Sequence, residues 1–337
     1  MPRDETRWRR AAKRVPGFRR AVRTLRRSDE IEALQEALAR RAPEPGTASV
    51  DAVVGESVAR FLTWRPPGHY YSPVPDLEDV HRYADRPSLI RRGGLEGLEI
   101  NADAQLALLK TLTPLTKDVT FNAEPRPHQR YFTNNPAYGL GDAIMTQAFL
   151  RNVRPKRYLE VGSGWTTALA LDTNDRWLGQ RMRLTCIEPY PDDLTKLLRP
   201  TDDVEVIARP VQDVDLDRFK ELEPNDVLFI DCSHVVKPGS DAHHLITRVL
   251  PAVPVGVYVH IHDIFWPFEY PMEWFDEGRA WSELYLLHAF LLFNSAFEIV
   301  LFNDWLTVTH HDLLASEVPA LASGAGAAIW LRRRPSV

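Results

Sequence analysis

A regular alternation of short β-rich runs with helical stretches begins at about residue 138 and restricts the fold more than any other feature. The alternation contains seven β-rich runs, and a helical stretch at Ala280–Phe293 comes before the last two of them. The runs are Arg157–Val161, Arg183–Ile187, Val204–Ala208, Val227–Asp231, Val255–Asp263, Glu298–Phe302 and Ala327–Arg332. Such alternation predicts an α/β fold, a doubly wound, mostly parallel sheet with helices on both faces. Its ligand is expected at the carboxyl ends of the strands.

Proline-rich linkers at Ala42–Gly46 and Glu124–Pro127 divide the rest of the chain. They predict a basic helical arm at 1–42, a mixed N-terminal cap region at 43–130 and the ligand-binding domain at 131–337. The arm carries 13 Lys and Arg against 6 Asp and Glu, whereas the remainder carries 28 against 40. The acidic body disfavours a nucleic-acid partner. For the arm we expect a solvated helix through which copies of the chain form a homo-oligomer.

Composition excludes several other classes of protein. No run approaches the roughly 18 consecutive apolar residues that would predict a membrane span. The two cysteines, Cys186 and Cys232, lie inside strand-like runs. A disulfide framework and a cysteine-based zinc site are therefore not expected. The arginine-rich start lacks the apolar segment of a secretory signal, so we expect a cytoplasmic protein.

A glycine turn, Glu160–Gly164, follows the first run and precedes a helix. Glycine allows the backbone to turn sharply and to approach a ligand closely. A dinucleotide site would have a third glycine where this chain has Thr167, so a pyrophosphate ligand is disfavoured. Glu188 follows the second run, where a carboxylate can accept both ribose hydroxyls. Gln212 follows the third run, where it can contact an adenine edge, and together these features predict a nucleoside-containing ligand.

The fourth and fifth runs end in groups that can carry chemistry. Asp231 ends the fourth run and His234 follows it, while His262 and Asp263 end the fifth. Because neighbouring parallel strands end at the same edge, these groups are expected to cluster. A histidine there can act as a general base. A metal-dependent hydrolase that uses the pair His260 and His262 is an alternative interpretation.

With its glycine turn, acid and polar residue in this order, the chain resembles the class I S-adenosylmethionine-dependent methyltransferases over about residues 135–334. The resemblance implies that S-adenosylmethionine is the cofactor and that 131–337 is a catalytic domain. Trp165 departs from the small residue that many members have after the turn. The implied cofactor-binding residues are Tyr138, Asp142, Glu160, Gly162, Ser163, Gly164, Glu188, Gln212 and Asp231.

The layout of the second half is similar to that of small-molecule O-methyltransferases such as catechol O-methyltransferase. This similarity places Asp231, His262 and Asp263 on the positions of metal ligands and His234 on the position of the base. Magnesium prefers oxygen ligands, and His262 stands where that group has a carboxylate. Two alternatives therefore stay open: a divalent metal such as Mg²⁺ is bound, or His262 is a second candidate base beside His234.

An aromatic, proline-stiffened loop after the fifth run is expected to line the acceptor pocket. The predicted substrate residues are Tyr70, Tyr71, Trp266, Tyr270 and Arg279. The blocks around them look like those of bacterial methyltransferases encoded beside polysaccharide or natural-product pathways, which implies a glycosylated or polyhydroxylated small molecule. We therefore predict base-assisted methyl transfer to a hydroxyl. A non-catalytic scaffold of a biosynthetic complex, docked through the basic arm, is the alternative from another class.

Overall fold

The computed structural model describes residues 65, 68–92, 95–119 and 121–335. The predicted arm at 1–42 lies outside these residues, so its helix and its role in assembly stay predictions. The chain divides into two compact units, Met1–Tyr83 and Ala84–Val337. The described part of the first unit contains helix α1 (Leu77–Tyr83). All the features below belong to the second unit unless stated otherwise.

A seven-stranded sheet forms the centre of the second unit, in the order β3-β2-β1-β4-β5-β7-β6. All neighbours are parallel except β7, which runs antiparallel between β5 and β6. The strands are β1 (Arg157–Val161), β2 (Arg183–Ile187), β3 (Val204–Ile207), β4 (Val227–Ile230), β5 (Tyr258–His262), β6 (Phe297–Phe302) and β7 (Ala328–Arg333). The predicted doubly wound, mostly parallel sheet is confirmed.

Helices precede the first strand and lie between successive strands, as the alternation predicts. They are α2 (Arg86–Arg92), α3 (Ala102–Thr116), α4 (Leu140–Val153), α5 (Trp165–Thr173), α6 (Asp192–Leu197), α7 (Asp217–Lys220), α8 (Asp241–His244), α9 (Leu250–Ala252), α10 (Met272–Asp276), α11 (Glu283–Leu291), α12 (Asn303–Thr309) and α13 (His311–Glu317). Short π-helical turns extend α5 over Asn174–Leu178 and join α8 to α9 over Leu245–Val249. Within the described ranges, no helix has the length and apolar character needed to cross a bilayer.

Burial explains why the central strands consist of nearly unbroken apolar runs. All four residues of β4 are buried, as are the last four of β1 and of β5. A parallel strand that is covered by helices on both faces must be apolar on both sides. Because β1, β4 and β5 are neighbours, their carboxyl ends, and the polar residues that follow them, lie side by side.

Two predicted boundaries were wrong for local reasons. The helix predicted at Ala280–Phe293 begins only at Glu283, because the backbone N–H groups of Ser282 and Glu283 donate to the carbonyl of His234. The fifth strand begins at Tyr258 rather than Val255. Gly256 precedes it with a φ of 87°, a left-handed turn that cannot belong to a strand.

Candidate active site

The glycine turn after β1 brings two strand ends into contact. Gly162 has a φ of 77°, and a Cβ at this position would lie 1.7 Å from the backbone oxygen of Asp231. The amide of Gly162 donates to the carbonyl of Ile187, at the end of β2. Only glycine leaves room for this approach, so the turn fixes Asp231 beside the ends of β1 and β2.

A cavity of about 620 Å³ opens above this turn, and it is called the larger cavity below. Its lining includes the predicted residues Tyr138, Gly162, Ser163, Gly164, Glu188 and Asp231. Glu188 is fixed at the end of β2, because its Oε2 accepts the amide of Ser163 (3.1 Å) and its Oε1 that of Tyr190 (2.9 Å). A Cβ on Gly164 would meet no atom within 4 Å, so this part of the turn faces open space.

Glu160 lies behind the turn rather than in the larger cavity. Its side chain is fully buried, and the hydroxyl of Thr167 donates to it. Thr167 in turn accepts the amide of Gly164 at 3.2 Å, so Glu160 supports the turn through this threonine. Burial raises the pKa of Glu160 to about 8. Thr167, which stands where a dinucleotide motif would have its third glycine, thus supports the turn. The sequence did not reveal this role.

Two further residues predicted to bind the cofactor lie away from the larger cavity's lining. The side-chain amide of Gln212 donates to the carbonyl of Gly239 at 2.7 Å, so the proposed contact with an adenine edge stays a prediction. Asp142 lies in the first turn of α4 and is buried. Its Oδ2 is 3.6 Å from Nε2 of His262, which places it at the chemical end of the site.

Four side chains from the ends of β4 and β5 form the His/Asp cluster: Asp231, His234, His262 and Asp263. Nε2 of His234 lies 3.4 Å from Asp231 and 3.5 Å from Asp263. Nδ1 of His262 lies 3.5 Å from Asp231 and 3.7 Å from Asp263. Two imidazole nitrogens therefore face two carboxylates at the edge of the larger cavity. The predicted meeting of these strand ends is what the structure shows.

Electrostatics within the His/Asp cluster favours charge on the histidines and on Asp231. Burial alone would lower the pKa of His234, but Asp231 and Glu283 outweigh it and raise that pKa to about 10. Burial is likewise outweighed at His262, whose pKa Asp263 and Asp231 raise well above its usual range. Although burial opposes ionisation of Asp231, the two histidines lower its pKa. Burial raises the pKa of Asp263.

His260 is separate from this cluster. It is fully buried and stacks on Phe229, with 3.8 Å between ring centroids, and it packs edge-on against Trp330. Burial lowers its pKa well below the usual value for histidine. The metal-ligand groups found among the described residues do not include it. The hydrolase interpretation, which requires His260 and His262 to act together, is therefore not favoured.

A second cavity of about 350 Å³, here the smaller cavity, opens on the other side of the His/Asp cluster. His262, Asp263 and Asp142 lie on one wall. The other walls include Phe265, Trp274, Asp304, Thr307 and Ser323. Ala137 lines both cavities, so the two are adjacent.

The aromatic loop contributes different residues from those predicted. Phe265 and Trp274 line the smaller cavity, whereas Trp266 and Tyr270 are buried and absent from its lining. Trp266 is turned inward because its amide donates to Asp304 and its carbonyl accepts Nε of Arg86, each at 2.8 Å. Trp266 and Tyr270 do not line the smaller cavity, and their contact with an acceptor stays a prediction.

The other predicted substrate residues lie outside the lining of the smaller cavity. Arg279 stacks over Trp274 and Trp281, with its guanidinium carbon 4.5 and 5.1 Å from the ring centroids, and pairs with Glu277 at 2.7 Å. Tyr70 and Tyr71 belong to the first compact unit, where both are exposed. A contact of these tyrosines with an acceptor stays a prediction.

The donor set of the His/Asp cluster fits a divalent cation. One ligand atom each from Asp231, His262 and Asp263 lies within 4.8 Å of the others. Nδ1 of His262 is buried and has no hydrogen-bond partner among the described residues. A set of two carboxylates and one imidazole suits ions such as Mn²⁺, Fe²⁺ or Zn²⁺ better than Mg²⁺, which prefers oxygen ligands.

Comparison with known proteins agrees with this geometry. Residues 159–264, which run from the glycine turn through the His/Asp cluster, match a family described as a methyltransferase domain. Residues 159–264 therefore form a methyltransferase domain, and the order of the seven strands is that of the class I methyltransferase fold. The chain is also 34% identical over 176 residues to an uncharacterized protein of Archaeoglobus fulgidus, a match that covers 51% of this chain and 80% of the relative.

Two solved methyltransferase structures are more distantly similar to this chain. A methyltransferase of Podospora anserina bound to S-adenosylhomocysteine is 16% identical, with a TM-score of 0.40, over 75% of this chain and 96% of that chain. The plantazolicin methyltransferase BpumL is 11% identical, with a TM-score of 0.38, over 70% of this chain and 99% of that chain. Similarity at this level assigns neither fold nor activity, which rest on the topology and the family match.

S-adenosylmethionine is the methyl donor of class I methyltransferases and the cofactor of this chain. The larger cavity fits it: a glycine turn open to the cavity at Gly164, and a carboxylate fixed at the end of β2. Sequence reasoning missed Glu283 and Asp304, because each reaches the site from an element without a recognisable motif. Glu283 in particular stands at the start of a helix, a position that usually indicates a solvated side chain.

Proposed function

We propose that this methyltransferase transfers a methyl group from S-adenosylmethionine to a hydroxyl of a small, polyhydroxylated molecule of the glycan or natural-product type. The observation that carries the proposal is the placement of the His/Asp cluster between two adjacent cavities. Asp231 lines the larger cavity, and His262, 3.5 Å away, lines the smaller one. A methyl donor in one cavity and an acceptor in the other would meet at this cluster.

The residues around the larger cavity have separate roles in this proposal. Glu188 accepts the ribose hydroxyls, and the turn Gly162–Gly164 holds the methionine portion. Tyr138 and Asp231 also line this cavity, and Asp231 connects it to the His/Asp cluster. Glu160 acts through Thr167 and keeps the turn in place. Such positioning contributes much of the rate, because in-line transfer requires the reacting atoms to be aligned.

His234 is the general base of the proposal, with His262 as the second candidate. Nε2 of His234 faces the carboxylates of the cluster, while Nδ1 is bonded to Glu283, so Nε2 is the atom that takes the hydroxyl proton. A base of this kind contributes about 10²–10⁴ to the rate. His234 must be neutral to accept a proton. Asp231, one of the two carboxylates that raise its pKa, is also one of the residues that would hold a metal.

Asp231, His262 and Asp263 are the residues that would hold a divalent cation. When bound, the cation would orient the acceptor oxygen and, as a positive charge beside His234, favour the neutral form of that histidine. Asp142, 3.6 Å from Nε2 of His262, would hold the ring so that Nδ1 faces the cation. This role replaces the cofactor contact that the sequence predicts for Asp142.

The smaller cavity supports a polyhydroxylated acceptor. The rings of Phe265 and Trp274 offer flat apolar surfaces, and Asp304, Thr307 and Ser323 offer hydrogen-bonding groups beside them. Pockets of this kind orient a ligand through a few placed polar groups on a mainly apolar wall. Sugar rings, with apolar faces and hydroxyl edges, have the matching chemistry.

Calorimetry with S-adenosylhomocysteine tests the cofactor site, and methyl transfer from labelled S-adenosylmethionine to a panel of mono- and oligosaccharides tests the acceptor class. Glu188→Ala should bind S-adenosylhomocysteine at least about tenfold more weakly than the wild type, because the variant loses hydrogen bonds to a charged group. Glu317→Ala, which removes an exposed carboxylate, is the matched control and keeps wild-type affinity. Equal affinity of all three proteins would refute the cofactor site, and labelling of no saccharide would refute the acceptor class.

A further inference from the structure

A buried carboxylate lies behind His234, on the side away from both proposed reactants. Glu283 is the first residue of α11 and is 1% exposed. Its Oε2 lies 2.9 Å from Nδ1 of His234, and its Oε1 accepts the thiol of Cys232 at 3.2 Å. Within the described residues these are the hydrogen bonds to this carboxylate. A buried carboxylate is unfavourable unless a charged or strongly donating partner compensates it, and the imidazole is that partner.

Residues 281–283, at the start of α11, also contact the backbone and the ring of His234. His234 has a φ of 58°, in the left-handed region that residues other than glycine rarely adopt. Its carbonyl accepts the amides of Ser282 (2.9 Å) and Glu283 (3.0 Å). The ring of Trp281 lies against the imidazole, with 4.3 Å between centroids. Strained conformations of this kind persist only where the surroundings determine them, and they concentrate at functional sites.

Helix α11 does not need Glu283 for its own attachment. Tyr285, one half-turn further, donates its hydroxyl to Glu269, and the amide of Leu284 donates to the hydroxyl of Tyr270. The hydroxyl of Ser282 accepts the amide of Val236 at 2.9 Å. These contacts fix the helix start against its surroundings without the side chain of Glu283.

We propose that Glu283 is the positioning residue of His234: it accepts the Nδ1 proton and thereby leaves Nε2 as the proton acceptor of methyl transfer. This inference rests on the proposed function. In the step, the acceptor oxygen bonds to the methyl carbon while the carbon–sulfur bond breaks and its electron pair stays on sulfur. The hydroxyl proton goes to Nε2, and the carboxylate of Glu283 balances the imidazolium charge that results. A carboxylate behind a catalytic histidine is known to select the tautomer in this way.

The first test needs no acceptor. Proton and nitrogen NMR of protein labelled with ¹⁵N-histidine and bound to S-adenosylhomocysteine should show a strongly downfield Nδ1 proton for His234, assigned by its absence from His234→Gln. Glu283→Gln should lose or shift this signal. Cys232→Ala, which removes the other hydrogen bond of the same carboxylate, and Tyr285→Phe, which removes a contact of the same helix, should both retain it.

A wild-type spectrum without this signal, or an unchanged signal in Glu283→Gln, overturns the proposal. The wild-type spectrum alone decides the matter if Glu283→Gln does not fold. Because calorimetry with S-adenosylhomocysteine reports the cofactor site independently, failure of the positioning role and failure of the proposed function are distinguishable.

Turnover gives the second test, with whichever saccharide accepts the methyl group. Glu283→Gln should lower kcat at least about tenfold with little change in KM, since general-base catalysis is lost but binding is not. The double variant Glu283→Gln, His234→Gln should be no slower than His234→Gln alone, because both changes remove one unit. Additive losses, or an equal loss in Tyr285→Phe, would show a merely structural role.

Discussion

The carboxyl group of Glu160 is buried where ionisation is unfavourable. It is 0% exposed, and its neighbours are the neutral donors Thr167, Cys186 and Tyr158. Burial raises the pKa of Glu160 from 4.5 to about 8. The folded protein therefore binds a proton that the unfolded chain releases between these two values. This contribution to the free energy of unfolding is complete below pH 4.5 and is lost as the pH rises through about 8.

Glu160→Gln should remove this pH dependence, since glutamine is a neutral mimic of the protonated acid. Relative to this variant, the wild type should lose up to about 1.4 kcal/mol of unfolding free energy per pH unit between pH 5 and 8. Urea denaturation at several pH values measures both slopes. Equal slopes would show that Glu160 is not protonated in the folded protein.

A comparison of Gly162 with Gly179 distinguishes the cost of backbone strain from the cost of a steric collision. Both have positive φ, 77° and 63°, but only at Gly162 would a Cβ collide, 1.7 Å from the oxygen of Asp231. Gly179→Ala should cost about 1–2 kcal/mol for strain alone. Gly162→Ala should cost several kcal/mol more and weaken S-adenosylhomocysteine binding, because the turn and Asp231 must separate. Similar unfolding free energies and affinities for the two variants would contradict this account.

Residues that the sequence could identify are those whose role depends on a local pattern. Gly162 and Glu188 follow strands directly, so a strand–turn–helix pattern was enough to find them. Glu283 and Asp304 reach the site from distant helices. Glu283 is hydrogen-bonded to Cys232, 51 residues away in sequence, and Asp304 is hydrogen-bonded to Trp266, 38 residues away. No local pattern records such contacts, and a glutamate at a helix start is usually solvated. The structure was needed to find them.

At the scale of elements, the strands were easier to predict than the helix that supports the base. Each central strand is buried on both faces, which leaves an unmistakable apolar run. Helix α11 has the apolar residues of a longer helix, but its first predicted turn is unwound by hydrogen bonds to His234. That competition depends on tertiary contacts, so periodicity alone placed its start three residues too early.

Arg130 joins the segment before α4 to the elements around α5. Its guanidinium is 3% exposed and bonds Asp172 (2.8 Å), Asp175 (2.9 Å) and Asp202. The amides of Arg130 and Tyr131 also donate to Asp172. The hydroxyl of Tyr131 then donates to the carbonyl of Tyr138, which lines the larger cavity. One buried cation therefore holds a wall of the cofactor site.

Arg130→Met should destabilise the protein by about 3–5 kcal/mol, because it leaves buried carboxylates without their cation. Arg218→Met is the matched control: its pair with Glu205 is half-exposed, so the cost should stay below about 1 kcal/mol. Urea denaturation gives both values. Equal losses in the two variants would show that the buried network does not hold this segment.

At the scale of the whole molecule, the charge distribution and the site belong to different parts of the chain. The excess of basic residues lies in 1–42, whereas the chemistry lies at strand ends of the acidic remainder. The fold class and the meeting of Asp231 with His262 followed from the strand order, since parallel neighbours end together. The choice of lining residues did not follow, because it depends on how the loop at Phe265–Trp274 packs between Arg86 and α12.

A divalent cation on the His/Asp cluster would join β4 and β5 and stabilise the whole second unit. At a concentration 100-fold above its Kd, a bound ligand adds about 2.7 kcal/mol to the free energy of unfolding, which is several degrees in Tm. Mn²⁺ should therefore raise Tm after removal of metal with EDTA, and Mg²⁺ should raise it less, because Nδ1 of His262 is a nitrogen donor.

Asp263→Asn should abolish this shift in Tm while leaving the fold intact. Asp263 has a φ of 56°, and asparagine tolerates this left-handed conformation, so the variant changes the charge without straining the backbone. Asp312→Asn, at a fully exposed position, is the matched control and should retain the shift. If Mn²⁺ raises the Tm of Asp263→Asn as much as that of the control, the cation binds elsewhere. If it raises neither, the cluster acts through its histidines and carboxylates alone.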